Sequence, residues 1–289
     1  MVSTVPPTRV SRLMHAARYR PSRRTTAVIL WHSLLECLLV LVLLFGATTF
    51  VRWVVGPSPI SSAIPTARVR LLMIGAAVGV LLFGLILSPA GRASGCHVNP
   101  AITLAMWVSG TFPGAAVIPY IVAQLAGSLL GVLTARAVWG SVIDGPPVNS
   151  ACLQPAPGWT NWALFLAEAA SMAAIVLLVA WFLAVPRLAP LVPGLVGFLV
   201  GLAIAVLGPI TGGSLNPARQ FGPAIFSGDH EFIWVYLLAP MVGAALATML
   251  FKLLTRRRVL THKLCGTNKD KHGRGLSSVR CLARPHMVV

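Results

Sequence analysis

Six stretches of the chain alternate with short polar segments, and each is apolar for about 20 residues, the length that crosses a bilayer as an α-helix. The first and fourth each contain one acidic side chain, Glu36 and Glu168, whereas the interiors of the other four contain no charge. The pattern predicts an all-α membrane protein with six transmembrane helices. The spans are roughly Thr25–Phe50, Leu71–Pro89, Val117–Val138, Trp162–Ala184, Leu191–Leu207 and Phe232–Leu254.

Two further apolar runs are too short to cross a membrane, and both begin with Asn-Pro-Ala. About ten helix-compatible residues follow each Asn, which is half a bilayer thickness at best. Because Asn is a favoured N-cap and Pro a favoured first helical residue, each motif predicts the start of a half-helix. The motifs are Asn99, Pro100 and Ala101 in "SGCHVNPAITLAMW", and Asn216, Pro217 and Ala218 in "GGSLNPARQFGPA".

The two halves of the chain resemble each other. The two Asn residues are 117 positions apart, and "AQLAGSLLG" from Ala123 resembles "APMVGAALA", which begins 116 positions later. Each half contains three spans, so the second must cross the membrane in the opposite sense. We expect a channel domain over residues 25–255, with inverted repeats at about 25–139 and 162–255. Repeats of this kind place their working site at discontinuous helices near the midplane.

Two inverted half-helices would meet at their N-termini in the centre of the bilayer. Each N-terminus carries partial positive charge. Each Asn can cap its helix with its oxygen and direct its NH2 group into the lumen. A water oxygen accepts such donors, whereas a cation meets an electrostatic barrier. A single Asn-Pro-Ala would be read as an ordinary capped helix, but two in matching places favour a pore.

Composition supports a membrane protein, because 56% of the residues are hydrophobic and only 10% are charged. The net charge of +17 is concentrated at the two ends, in residues 1–24 and 256–289. We expect both to be basic cytoplasmic tails, the second disordered, on a multi-pass protein of the cell membrane. A transit peptide is an alternative for the first. Nucleic-acid binding is not expected, because no aromatic-interleaved module accompanies the charge.

The five cysteines are odd in number and do not follow a paired spacing, which argues against a disulfide framework. Cys265, His272, Cys281 and His286 match no standard zinc spacing. His97 lacks partner ligands near it in sequence. We therefore expect no metal and no cofactor, and the absence of a nucleophile–base pair argues against an enzyme.

"SGCHVNPAITL" and "GGSLNPARQFGPAI" resemble the two signature loops of the major intrinsic protein family, the aquaporins and aquaglyceroporins. The resemblance covers about residues 25–255. It implies six spans and two half-helices, with a pore in each protomer of a homotetramer. It also implies a passive channel that needs no cofactor.

The resemblance implies an outer selectivity filter built around Arg219, a charge that is costly at membrane depth. Spacing assigns the other three filter positions to Gly79, Ile204 and Gly213. Water-selective members have a large aromatic residue at the first of these and His at the second, so this filter is more similar to that of the nodulin-like branch. Gly79 has a second interpretation, because Gly75 and Gly79 form a small-xxx-small face that packs helices closely.

Residues before the two motifs are expected to line the pore. The carbonyl groups of His97, Val98, Gly213, Ser214 and Leu215 would form a ladder of acceptors. Cys96, which matches Gly213 in position, is expected to line the inner vestibule. Glu36 and Glu168 are expected to accept hydrogen bonds from irregular backbone, although a proton-coupled transporter would also use such groups.

The sequence therefore predicts a passive channel for water and small uncharged solutes such as glycerol, urea, or boric or arsenous acid. A strictly water-selective channel and a secondary transporter are the alternatives.

Overall fold

The computed structural model describes residues 22–64, 66–255 and 257–267, and this part of the chain contains helices and loops but no strands. Six helices are long and apolar enough to cross a membrane. They are α1 (Arg23–Val54), α3 (Ala67–Leu87), α6 (Val117–Trp139), α7 (Asn161–Ala184), α8 (Val192–Thr211) and α10 (Ile233–Thr255). The shorter α-helices are α2 (Pro59–Ala63), α4 (Pro89–Ser94), α5 (Pro100–Ser109) and α9 (Pro217–Ser227). The six predicted spans are thus confirmed.

The long helices pack in pairs that repeat between the halves: α1 against α6, and α7 against α10. The third pair, α3 against α8, joins one half to the other. Large apolar side chains such as Val80 and Leu253 remain exposed on the outside of the bundle. This is the surface expected of a protein whose solvent is lipid. Because the spans are even in number, α1 begins and α10 ends on the same side, which we call the terminal side.

The two short helices α5 and α9 begin at the Asn-Pro-Ala motifs. Asn99 and Asn216 are their N-caps, with extended backbone, and a proline occupies the first turn of each helix. Gly110 and Gly228 end them in the left-handed conformation, which lacks a steric cost only for glycine. The end of α5 lies on the terminal side, since Lys252 near the end of α10 donates to the carbonyl of Val108.

Helices α3 and α8 approach each other so closely that their backbones touch. A Cβ atom at Gly79 would lie 2.5 Å from the carbonyl oxygen of Gly197, and one at Gly75 would lie 2.4 Å from that of Gly201. Only hydrogen atoms fit at these contacts. Glycine at these four positions therefore fixes the spacing of the two helices.

Part of the predicted disordered tail is folded. Residues 257–267 pack against the terminal side of the bundle, and Val259, Thr261, His262, Lys263, Leu264 and Cys265 are all buried. The prediction of disorder was wrong for this segment, because the sequence analysis weighed its basic residues and not the apolar ones between them. Residues 1–21 of the first tail, and residues 256 and 268–289 of the second, including His272, Cys281 and His286, lie outside the described residues, whereas Arg23 and Arg24 begin α1.

Candidate channel pore

A cavity of about 90 Å³ runs along the middle of the bundle. Its wall is mostly apolar and comes from α1, α3, α7 and α8, with α5, α9 and the segments before them contributing the polar groups. Since about 10–15 Å³ suffices for one water molecule, several can occupy it. The polar side chains that reach its wall are His97, Asn99, Ser214, Asn216 and Arg219.

The two motifs are joined to each other at the centre. The oxygen of Asn99 accepts from the backbone N–H of Ala101 at 2.8 Å, and its amide nitrogen donates to the carbonyl of Leu215 at 2.9 Å. Asn216 repeats this arrangement, accepting from Ala218 at 3.0 Å and donating to Val98 at 2.9 Å. Each amide nitrogen has two hydrogens, and the crossing bond uses one of them. The second takes no part in the crossing bond, and both Asn residues line the cavity.

Glu36 of α1 holds the irregular backbone that precedes α5. Its carboxylate accepts from the backbone N–H groups of His97 at 3.0 Å and Val98 at 2.7 Å. It also accepts from the Ser94 hydroxyl at 2.7 Å and the Gln124 amide at 2.8 Å. Four donors thus satisfy a fully buried carboxylate, which would be costly to bury without them.

Glu168 of α7 does the same for the backbone before α9. It accepts from the backbone N–H of Leu215 at 2.9 Å and from the Thr211 hydroxyl at 2.8 Å. Tyr236 secures the same loop by donating to the carbonyl of Thr211 at 2.6 Å. The two carboxylates therefore support the left-handed residues Val98 and Leu215, whose positive φ angles are unfavourable for side chains with a Cβ.

Arg219 lines the cavity on the side opposite to the terminal side, where it is half-buried. Its guanidinium donates to the carbonyl of Ala151 at 2.8 Å, which ties it to the connection between α6 and α7. Gln220 clamps the same connection by donating to the Leu153 carbonyl at 2.9 Å and accepting from the Leu153 N–H at 3.2 Å. The remaining N–H groups of Arg219 are available to a solute, since guanidinium has five.

Ile204 and Gly213 also line the cavity, but Gly79 does not. Gly79 faces Gly197 in the contact between α3 and α8, and its neighbour Val78 lines the cavity instead. The assignment of Gly79 to the pore by spacing was therefore wrong, because Gly79 lies on the side of α3 that packs against α8. The residues of α3 that line the cavity are Ile74, Val78 and Leu82, all apolar and branched, so the glycine that supported the likeness to the nodulin-like filter is not among the lining residues.

Cys96 was also expected to line the cavity and does not. Its side chain is fully buried, whereas its neighbours His97 and Val98 reach the wall. Leu264, from the folded segment after α10, reaches the wall on the same side. The carbonyls of Val98 and Leu215, two of the predicted acceptors, each accept one hydrogen bond from a crossing Asn amide, and a backbone carbonyl can accept a second.

Several residues that support the pore were not predicted from the sequence. Ser94 and Thr211 are 117 positions apart, as the two Asn residues are, and Tyr120 and Tyr236 are 116 apart. Tyr120 donates to the carbonyl of Ser94 at 2.9 Å, as Tyr236 does to that of Thr211. The internal repeat would have identified all four if the offset had been applied to polar residues as well as to the motifs.

Comparisons with known proteins agree with this geometry. Residues 26–251 match the family described as major intrinsic protein. The chain is 35% identical over 197 residues to aquaporin AqpM of Methanothermobacter marburgensis, a match that covers 64% of this chain and 75% of the relative. It is 32% identical over 220 residues to the propanediol uptake facilitator PduF of Citrobacter freundii, covering 62% of this chain and 81% of the relative.

The fold is also that of a solved structure. The aquaglyceroporin from Plasmodium falciparum superimposes with a TM-score of 0.64 at 21% identity, over 78% of this chain and 96% of that one. The match to the family covers the whole bundle from α1 to α10 and includes both half-helices. The chain therefore belongs to the major intrinsic protein family, whose members are membrane channels and not enzymes.

Proposed function

We propose that the cavity conducts water and small uncharged solutes passively and excludes ions and protons. The observation that carries this proposal is the joined pair of Asn99 and Asn216, each capping a half-helix that begins in the middle of the bundle. Two helix N-termini and two amide groups give the centre of the cavity a positive potential. An uncharged oxygen is attracted there, whereas a cation is repelled.

The filter side chains support solute as well as water. Val78 and Ile204 are apolar, and Gly213 adds no side chain, so Arg219 is the polar group at this level. The pore wall thus donates hydrogen bonds on one side and is apolar on the other. Such a wall suits a small polyol, urea, or boric or arsenous acid, whose surfaces have both polar and less polar parts. The name of one relative, a propanediol uptake facilitator, points the same way, whereas the other relative is named an aquaporin. A strictly water-selective channel would be expected to present more hydrogen-bonding groups here.

A proton-coupled transporter is less well supported. It would need carboxylates that bind and release protons during transport. Glu36 and Glu168 are instead engaged by donors on the backbone and side chains that shape the pore. Protonation of either would break the bonds that hold the half-helices.

We further propose that the terminal side faces the cytoplasm of a cell membrane and that the protein is a homotetramer with one pore in each protomer. The basic residues at both ends of the sequence support this orientation, because positive charge is retained on the cytoplasmic side. The repeated pairing of helices and the family membership support a pore within each protomer.

Stopped-flow light scattering on proteoliposomes tests the function. Sucrose as osmolyte reports water flux, and glycerol, urea and boric acid report solute flux. We expect flux that rises linearly with the osmotic or solute gradient and is not driven by a pH gradient. Saturating flux that follows a pH gradient would support the transporter, and sodium current without any change of vesicle volume would overturn the channel.

A further inference from the structure

The folded segment after α10, residues 257–267, lies across the terminal-side end of the cavity. Leu264 forms part of the cavity wall and is only 1% exposed. The segment continues from the last span without any regular secondary structure. Its burial therefore comes from specific contacts with the bundle and not from being part of a helix.

The centre of the segment binds the loop that leads to the first half-helix. The backbone N–H of Leu264 donates to the carbonyl of Gly95 at 3.0 Å. The ring of His97 makes a hydrogen bond through Nε2 with the carbonyl of His262 at 3.2 Å, and the two rings meet edge to face at 5.4 Å. Phe112 packs against the His262 ring at 5.2 Å. The segment thus covers the residue that immediately precedes Val98 and Asn99.

The ends of the segment contact two other parts of the same surface. Leu260 donates its N–H to the carbonyl of Leu183, the end of α7, at 3.2 Å. Lys263 donates from Nζ to the carbonyl of Arg92 in α4 at 2.8 Å. A Cβ at Gly266 would lie 1.9 Å from the carbonyl oxygen of Ala189, so the backbone touches the α7–α8 connection. The segment spans the opening from one repeat to the other.

The two ends of the cavity therefore differ in how exposed their lining residues are. On the far side, Asn216 and Arg219 are half-buried. On the terminal side, His97 lines the cavity but is only 1% exposed, and its ring contacts the rings of His262, Phe112 and Tyr120. Water that enters past Arg219 would meet Leu264 before it reached the terminal side.

We propose that residues 257–267 are a plug that closes the terminal-side mouth of the pore, so that this conformation is closed and conduction requires the segment to leave. The inference rests on the proposed channel function. A plug of this kind differs from a fixed part of the wall, because its release must increase flux while the bundle remains intact. Within the described residues, the segment is held to the bundle by hydrogen bonds and side-chain packing and forms no part of a helix, which leaves it able to move away.

Release can be forced by placing a charge at the buried contact. Leu264→Asp puts a carboxylate into an apolar site without a partner, which disfavours the docked segment. Leu260→Asp is the matched control in the same segment, because the Leu260 side chain is 49% exposed and its backbone contact is retained. If about nine-tenths of the molecules are plugged, release raises water flux about tenfold. We expect this increase for Leu264→Asp and not for Leu260→Asp.

Thiol labelling supplies a readout that does not depend on flux. Cys96 is fully buried, and its neighbour Gly95 accepts a hydrogen bond from Leu264 of the segment. Replacing Cys37, Cys152, Cys265 and Cys281 by Ser leaves Cys96 as the single thiol. In this background we expect N-ethylmaleimide to label Cys96 slowly, and about tenfold faster when Leu264→Asp is added. Retention of the elution volume in size-exclusion chromatography would show that the bundle remains folded.

The outcomes separate the two proposals. If Leu264→Asp and the unchanged protein conduct water equally well and label equally slowly, the plug is overturned and the segment is a fixed wall. If Cys96 labels faster in Leu264→Asp but neither protein changes vesicle volume, the segment moves but the channel proposal fails. Higher flux with faster labelling supports both.

Discussion

Ser94 and Thr211 occupy equivalent places in the two halves of the protein, and each donates its hydroxyl to the buried carboxylate of a spanning helix. The distances are 2.7 Å from Ser94 to Glu36 and 2.8 Å from Thr211 to Glu168. Each hydroxyl also accepts a backbone N–H two residues further along, at 3.2 Å in both cases. The same arrangement of a hydroxyl, a carboxylate and a backbone N–H therefore shapes both loops that lead into the pore.

The carboxylates should be essential for stability. In Glu168→Gln, an NH2 group would replace one of the two acceptor oxygens and face an N–H or O–H donor. Leaving a buried donor without an acceptor costs about 1–3 kcal/mol, and we expect unfolding at a lower SDS fraction in mixed micelles, followed by tryptophan fluorescence. Glu231→Gln is the control, because Glu231 is exposed. Equal stability of the two variants would contradict a supporting role for Glu168.

The filter assignment can be tested at the corrected position. Val78→Phe combined with Ile204→His places an aromatic ring and a hydrogen-bonding side chain opposite Arg219. We expect glycerol and boric acid flux to fall by more than about tenfold, while water flux is retained, as measured by stopped-flow light scattering. Equal loss of water and solute flux would mean that these side chains do not form the filter.

Substitution of Gly79, next to Val78, should affect the stability of the protein. In Gly79→Ala the added methyl would lie 2.5 Å from the Gly197 carbonyl, whereas Gly84→Ala in the same helix meets nothing within 4 Å. Overpacking of this kind typically costs about 1–3 kcal/mol. We expect a lower melting temperature in detergent for Gly79→Ala and none of this loss for Gly84→Ala. If the two variants melt alike, the close contact of α3 and α8 is not a constraint.

The plug should respond to acid. Burial, followed by the nearby charges of His97, Lys263 and His32, lowers the pKa of His262 well below its ordinary value of 6.5 in the docked segment. Other charged groups of this region are Glu36, which holds the backbone of His97, and Arg92, which accepts from Lys263 through its carbonyl. Because the pKa of His262 is lower when the segment is docked, neutral His262 favours the docked state above pH 6.5. This contribution is lost as the pH falls.

We therefore expect water flux to increase when the pH on the terminal side falls below about 6.5. The measurement is stopped-flow scattering on proteoliposomes equilibrated at pH 7.5 and pH 5.5, pH values chosen to lie about one unit on either side of that value. His262→Gln cannot gain a proton in this range, so its flux should change less with pH. The same pH response in His262→Gln would assign the effect to another group.

The order of helices and the two half-helices could be predicted because they follow from strong local signals. Spans of this length and the Asn-Pro caps depend on residues close together in sequence. The direction in which a residue faces around its helix does not depend on nearby residues alone, since the adjacent Val78 and Gly79 differ by about 100° of rotation. Which of them faces the pore depends on where α8 packs, and the glycines at 197 and 201 decide that.

The folded segment could not be predicted for a related reason. Its apolar residues, Val259, Leu260 and Leu264, are few and lie among basic ones. Only the surface they meet, formed by His97, Phe112 and the end of α7, makes burial favourable. That surface is assembled from three distant parts of the chain, so no window of sequence contains the information.

The reciprocal glycine contacts between α3 and α8 also affect the width of the pore. Val78 and Ile204 are carried on these two helices, and the helices meet backbone to backbone with no side chain between them. The distance between α3 and α8, and with it the width of the lumen, is therefore set by backbone carbonyl groups on the lipid-facing side of the two helices. A single methyl group added on that side would change what passes through the interior without touching any residue that a permeating molecule meets.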